Sequence, residues 1–119
     1  MFDTKSLVEY WNPLVERCGL ILADGKILEV PNTHPKPEDH FSIARSYFTE
    51  YPDALATWHT HPSGQANLTV EDYRAFLTQP NLFHYIVGDG IVWGFYVKEN
   101  RVYLYEDDGV SRVSQGDVS

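Results

Sequence analysis

Two histidines and one aspartate occur at spacings that suit a divalent metal ion. His59 and His61 end the β-prone segment ALATWHTH. Side chains two positions apart in a strand point to the same side, so both imidazoles can reach one point. Asp72 lies eleven positions after His61, in a segment with helical spacing, and can return a carboxylate to that point. Two histidines, a carboxylate and a position open to water are typical of hydrolytic zinc sites.

The same segment also has an ordinary structural explanation. Thr69 precedes Asp72 by three positions, as in a capping box, where the threonine oxygen accepts a backbone N–H and the acidic side chain reaches back. Gly64, Gln65 and Asn67 are common loop residues. A helix cap explains Thr69 and Asp72 but does not explain the two histidines. The sequence therefore favours a metal site, with the helix cap as the alternative.

A hydrolytic zinc site also needs a proton acceptor, and Glu16 is the candidate. It stands between the first predicted helix and the apolar strand CGLILA, where a carboxylate is costly unless it has a partner or a task. Glu9 is predicted to lie on the exposed face of that helix. Glu71 is next to Asp72, but on a helix it is predicted to point away from it.

Four other residues with reactive or metal-binding side chains are assigned other positions. Cys18 is predicted to be a small buried hydrophobic residue, not a nucleophile. His34 and His40 lie in the proline-rich loop PNTHPKPEDH and are predicted at the surface or in a substrate cleft. His84 is predicted to be a half-buried strand residue with its hydrogen bonds satisfied.

The secondary-structure signals place these residues on a mixture of helices and strands. A hairpin is predicted around Asp24-Gly25, with a two-residue turn. In chain order the predicted elements are a helix (SLVEYWN, capped by Asp3 or Thr4), two strands (RCGLILA, KILEV), a helix (FSIARSYFTEY), a strand (ALATWH), a helix (TVEDYRAFLTQ) and three strands (LFHYIVG, IVWGFYVK, RVYLYE). This order predicts an α/β (mixed α+β) fold in which a mixed β-sheet is flanked by helices.

Length and charge narrow the class of protein. A chain of 119 residues is expected to form one domain, here predicted over 1–105, with a polar C-terminal tail or linker stub over 106–119. A net charge of −8 without a basic cluster argues against nucleic acid and anionic membrane as partners and favours cations. The lone cysteine and the lack of a signal-peptide pattern or long apolar run predict a cytoplasmic protein.

Taken together, the candidate residues resemble a known motif. Glu16-Arg17-Cys18-Gly19, then His59-Thr60-His61-Pro62, then Thr69 and Asp72, resemble the JAMM motif of the JAB/MPN metallopeptidase family. The family pattern is Glu followed by His-X-His-X7-Ser-X2-Asp, and the likeness extends from about residue 6 to residue 105. The short first helix and the PNTHPKPEDHF loop are most similar to the bacteriophage tail-assembly branch. The NlpC/P60 domain often found in that branch is not expected among these residues.

The resemblance implies a role for each matched position. His59, His61 and Asp72 are implied to hold a zinc ion (Zn2+), with water as the fourth ligand. Glu16 is implied to take a proton from that water and to pass it to the leaving amine. Thr69 stands where the family usually has serine, whose hydroxyl helps to stabilise the oxyanion. Threonine keeps the hydroxyl and adds a methyl group.

The resemblance also implies a fold and excludes two other enzyme classes. The family fold is a mixed sheet flanked by helices, similar to that of cytidine deaminases. A deaminase is disfavoured because its Pro-Cys-X-X-Cys ligands are missing. The His-X-His motif also occurs in metal-dependent TIM-barrel hydrolases, but 119 residues are too few for such a barrel.

Two functions follow from the sequence. The first is a zinc metallopeptidase that hydrolyses a peptide or isopeptide bond near the end of an extended protein tail, because such tails can pair with a sheet edge. Its expected settings are phage tail assembly or the processing of cell-wall or ubiquitin-like substrates. The second is a non-catalytic structural or binding module of a phage tail with the same fold. The presence of both histidines together with Asp72 and Glu16 favours the enzyme.

Overall fold

The described part of the chain is a mixed α+β domain, as predicted. The structure is a computed structural model that describes residues 3–107. Its elements are a 3₁₀-helix (Thr4–Tyr10), β1 (Cys18–Ile21), β2 (Ile27–Val30), α1 (Arg45–Glu50), β3 (Ala56–Thr60), α2 (Val70–Leu77), β4 (Phe83–Val87), β5 (Val92–Lys98) and β6 (Arg101–Asp107). No helix within the described range has the length and apolarity needed to cross a membrane. Most of the predicted tail, residues 108–119, lies outside this range.

The six strands form one mixed sheet in the order β2-β1-β3-β4-β5-β6. Strands β3 and β4 are parallel, and every other neighbouring pair is antiparallel. Two adjacent parallel strands need a crossover connection, and here α2 belongs to it. The loop and helix that carry the candidate metal ligands are therefore held between the ends of two central strands.

Two helices differ in extent from the sequence prediction. The first is a 3₁₀-helix, with Asp3 as its cap accepting a hydrogen bond from the Lys5 N–H at 3.1 Å. The second, α1, begins only at Arg45, although the prediction placed its start at Phe41. The preceding residues remain in the loop because tertiary hydrogen bonds hold them there, including one from the Ser42 N–H to Asn32 Oδ1 at 3.0 Å.

The first hairpin exists, but its predicted two-residue turn is wrong. The Leu22 N–H donates to the Lys26 carbonyl at 2.8 Å, which leaves three residues in the loop, and of these only Gly25 has a positive φ, 89°. A three-residue loop with a left-handed residue at its end suits the twist of a hairpin. The predicted turn at Glu99-Asn100 does have two residues, both with positive φ (52° and 64°), between paired Lys98 and Arg101.

Both faces of the sheet are covered by apolar packing. The 3₁₀-helix packs Leu7 on one face, in a cluster with Ile21, Ala56, Trp58, Tyr85, Val87 and Val92. On the other face α2 packs Phe76 against Ile86, Phe95 and Val102. Gly19 lies opposite Trp58 in the register of β1 and β3, and a side chain there would collide with the indole and with the Leu28 carbonyl. This packing fixes β1 against β3, the pair that carries the candidate site.

His84 is fully buried beneath α2, not half-buried as predicted, and its hydrogen bonds are satisfied as expected. Its Nδ1 lies 2.7 Å from Thr57 Oγ1 and its Nε2 lies 2.9 Å from the Gln79 carbonyl oxygen. The carbonyl can only accept, so Nε2 carries the proton and Nδ1 accepts from the hydroxyl. Its ring stacks on Phe76 with centroids 4.3 Å apart. Burial lowers the pKa of His84 to about 4.

This lowered pKa predicts a loss of stability in mild acid. The unfolded chain binds a proton at His84 near pH 6.5, whereas the folded protein does so only near pH 4. Stability is therefore lost as the pH falls through this window, by up to about 3 kcal/mol. Urea unfolding of the wild type and His84→Gln, measured with a metal chelator at pH 7 and pH 4.5, should give free energies that converge at the lower pH. The same difference in free energy of unfolding between the two proteins at both pH values would contradict this role for His84.

Candidate metal centre

The pairing of β1 with β3 brings Glu16 to the histidines. The register places Cys18 opposite His59 and, continued past the end of β1, places Glu16 opposite His61. Two hydrogen bonds of 2.9 Å extend the pairing of the two segments beyond β1, one from the Thr60 N–H to the Arg17 carbonyl and one from the Arg17 N–H to Thr60 Oγ1. Opposite residues in a sheet share a face. Glu16 therefore lies on the face that carries both imidazoles.

All four predicted site residues that bear an imidazole or a carboxylate converge. Asp72 Oδ1 lies 3.0 Å from His59 Nε2, and Asp72 Oδ2 lies 3.0 Å from His61 Nε2. The two Nε2 atoms are 3.1 Å apart. A carboxylate oxygen of Glu16 and one nitrogen of each histidine lie within 4.8 Å of one another. All four residues are buried.

The helix cap is present together with the cluster, so the two explanations of this segment are compatible. Thr69 Oγ1 accepts a hydrogen bond from the Asp72 N–H at 3.1 Å, and Asp72 Oδ2 accepts from the Thr69 N–H at 3.4 Å. The capping box begins α2 at the residue after Thr69. Because the cap fixes where the helix begins, it also fixes the direction in which the Asp72 carboxylate faces β3.

The donor set fits a zinc ion. His61 Nδ1 lies 3.0 Å from the carbonyl oxygen of Gln65, which can only accept, so in the neutral ring Nδ1 carries the proton and Nε2 has a lone pair. That lone pair faces the Asp72 carboxylate, so either a proton on Nε2, which the raised pKa of His61 beside Asp72 favours, or a metal ion must lie between them. Ligands placed tetrahedrally at zinc distances are about 3.3 Å apart. The observed separations of 3.0 and 3.1 Å are slightly shorter.

Burial and the neighbouring charges shift the pKa values of the cluster. Burial raises the pKa of Glu16 to about 7, although the nearby His61 opposes the shift. Burial lowers the pKa of His59 and keeps that ring neutral. For Asp72, burial acts in the opposite direction, but the two imidazoles outweigh it and hold the pKa below its usual range. The centre thus combines an ionised carboxylate with at least one neutral imidazole, as metal ligation requires.

Two aromatic residues that the sequence analysis did not select hold the histidines in place. Phe41 stacks on His59 with ring centroids 4.0 Å apart and planes 14° apart. The Trp11 indole N–H donates to the His61 carbonyl at 2.7 Å, and the His61 N–H donates to the Val87 carbonyl at 2.9 Å. His59 Nδ1 has no hydrogen-bond partner among residues 3–107, so the ring is oriented by this stacking and by the contact of its Nε2 with Asp72. Neither aromatic residue is near the ligands in sequence.

The cluster lies at the floor of a cleft of about 510 Å³. The loop over residues 31–44 forms one wall of this cleft, and the lining also includes Glu16, His61, Thr69 and Asp72.

Four hydrogen bonds of the Asn32 side chain hold this loop in place as a brace. Asn32 donates to the carbonyls of Glu16 (2.8 Å) and His40 (2.9 Å), and it accepts from the N–H groups of His34 (3.1 Å) and Ser42 (3.0 Å). His34 and His40 were predicted to lie either at the surface or in a substrate cleft, and both line this cleft. The brace ties the wall directly to the backbone of Glu16.

Cys18 and Glu9 take the positions expected of them, whereas Glu71, which was expected to point away from Asp72, lines the same cleft. Cys18 is fully buried, and burial raises the pKa of its thiol to about 12, which makes it a poor nucleophile. Glu9 is exposed on the 3₁₀-helix. Glu71 is exposed at the cleft rim, where its Oε1 lies 2.8 Å from His40 Nδ1.

Comparison of the sequence with protein-family models and with curated proteins finds no significant match.

Proposed function

We propose that the protein is a zinc-dependent metallopeptidase with a JAB/MPN fold, which hydrolyses a peptide or isopeptide bond. The observation that carries the proposal is the convergence of His59, His61 and Asp72 in a cleft, with the Glu16 carboxylate beside them. The spacing of these residues resembles the JAMM motif, and the mixed sheet with its flanking helices is compatible with that family's architecture. A processing role in phage tail assembly, suggested by the same resemblance, belongs to this proposal.

The roles of the side chains follow from their positions. His59, His61 and Asp72 would hold the zinc ion, which supplies Lewis acidity for amide hydrolysis. Glu16 is buried beside the imidazoles and open to the cleft, so its carboxylate can accept a proton from a water molecule and deliver it to the leaving nitrogen. Phe41 and Trp11 keep the two imidazoles in one orientation.

Thr69 retains a hydroxyl that can assist the reaction. Its oxygen accepts the capping hydrogen bond from the Asp72 N–H, which uses one lone pair and leaves the O–H free to donate. Thr69 lines the cleft, so this O–H can reach a substrate carbonyl oxygen as negative charge develops on it. Threonine can thus serve as cap and as oxyanion donor at once.

Metal content tests the proposal most directly. Protein purified without a histidine tag and supplied with zinc should retain about one equivalent after dialysis, measured by elemental mass spectrometry, because the three proposed ligands are preorganised. The same sample should hydrolyse members of a panel of fluorogenic peptides and lysine-linked isopeptides, and a chelator should abolish that hydrolysis.

The alternative is a tail module that keeps the fold without the chemistry. Zinc below a tenth of an equivalent, not restored by added metal, would favour that module and argue against the enzyme. Zinc at one equivalent without hydrolysis of any substrate would restrict the proposal to a metal-binding protein.

A further inference from the structure

The proposed active-site cleft is strongly acidic. The carboxylates that line it are Glu16, Glu38, Asp39, Glu71 and Asp72. Among the residues that the structure describes, no lysine or arginine lines the cleft, and its only basic side chains are those of His34, His40 and His61. A cleft with walls of one sign concentrates its field inward and attracts ligands of the opposite charge.

One of these carboxylates lacks a donor. The Glu16 side chain is only 7% exposed and lines the cleft, yet none of the hydrogen bonds and ion pairs found within residues 3–107 involves its carboxylate. A buried carboxylate without a donor is costly, so the site favours an occupant that brings N–H groups or positive charge. Asp72, by contrast, is satisfied by the two imidazoles and by the Thr69 N–H.

The acidic rim is built on a braced wall. Glu38 and Asp39 are exposed and form no ion pair with another described residue. Their backbone is held by hydrogen bonds from the N–H groups of Asp39 (3.1 Å) and His40 (2.9 Å) to the Lys36 carbonyl. The contact between His40 and Glu71 ties this wall to α2. Two uncompensated charges are therefore held at the entrance, outside the metal cluster.

We propose that this cleft selects cationic polypeptide segments, with lysine or arginine next to the bond to be cleaved. The inference rests on the proposed peptidase function and names its substrate class. Extended cationic side chains fit because they can reach Glu38 and Asp39 at the rim while the peptide N–H groups approach Glu16 at the floor. Anionic segments would meet like charges on both walls.

Peptide binding to the full chain, loaded with one equivalent of zinc, tests the inference. The probes are three fluorescein-labelled decapeptides with one Gly-Ser framework and four lysines, four glutamines or four glutamates, followed by fluorescence anisotropy. The lysine peptide should bind about tenfold more tightly than the glutamine peptide, with about threefold from each rim carboxylate. The glutamate peptide should bind most weakly. Raising NaCl from about 0.05 to 0.5 M should remove most of the lysine advantage.

Two matched double variants separate rim charge from net charge. Glu38→Gln/Asp39→Asn should reduce the lysine-over-glutamine ratio to about one, because each removed carboxylate contributes about threefold. Glu9→Gln/Asp53→Asn removes the same charge from exposed positions outside the cleft lining and should leave the ratio unchanged. Equal ratios in the two double variants, or no binding of the lysine peptide up to about 1 mM, would overturn the inference.

Mass spectrometry of the same mixtures distinguishes this inference from the peptidase proposal. Selective binding of the lysine peptide, without cleavage of any of these peptides or of the lysine-linked isopeptide panel, would support the acidic cleft as a cationic binding site and contradict the peptidase. Cleavage without charge preference would support the peptidase and overturn the inference. If Glu38→Gln/Asp39→Asn lost zinc instead of peptide selectivity, the rim would serve metal capture, which also overturns it.

Discussion

Replacing Glu16 by glutamine should lower turnover by roughly two to four orders of magnitude while zinc stays bound. Glutamine keeps the size of the side chain and its place opposite His61, but it cannot accept a proton. The measurement is the initial rate on an accepted peptide or isopeptide substrate, with zinc content determined on the same samples. The effect is expected in kcat, because the proton moves in the chemical step.

Glu9→Gln is the matched control for this substitution. It is the same chemical change on the exposed face of the 3₁₀-helix, so activity and zinc content should remain those of the wild type. Wild-type rates in Glu16→Gln would show that another group moves the proton. Loss of zinc from Glu16→Gln would show that Glu16 is a ligand, a role that its position within 4.8 Å of both histidines permits sterically.

Replacing Asp72 by asparagine should weaken zinc binding by about a hundredfold or more, because a neutral amide replaces the anionic ligand. Asparagine preserves the shape and can still accept the capping hydrogen bond from the Thr69 N–H. Thermal stability of the metal-free protein should also fall, because asparagine loses the ion pairs of this carboxylate with the two buried imidazoles. Competition with a fluorescent zinc chelator gives the affinity, and thermal unfolding in excess chelator gives the stability.

Thr69→Ala should lower stability without lowering zinc affinity, and it serves as the control. It removes the oxygen that accepts from the Asp72 N–H, which should cost about 1 kcal/mol of stability, but it leaves the Asp72 carboxylate in place. Its zinc affinity should stay within a few-fold of the wild type. Unchanged zinc affinity in Asp72→Asn, with a fall in stability alone, would mean that this carboxylate has only a structural role, as in the helix-cap explanation.

Local geometry explains which parts of the site could be predicted from the sequence. His59 and His61 share a side because alternate residues of a strand do so, and β3 ends at the residue between them. Thr69 and Asp72 form the predicted capping box because the bonds of a helix start span only three positions. The mixed α+β class followed in the same way from hydrophobic periodicity, element by element.

Tertiary structure decided what lies between these elements. From the sequence, Glu16 was selected only because a carboxylate is costly at its position and because of the family resemblance. The register of β1 on β3 is what places it opposite His61. Phe41 was predicted to begin a helix, yet it stays in a loop and stacks on His59. The Asn32 brace and the acidic wall depend equally on contacts distant in sequence. Strand register and packing depend on how the surfaces of two separate segments fit together. Such a fit leaves no periodic pattern within either segment, so it cannot be predicted from local sequence.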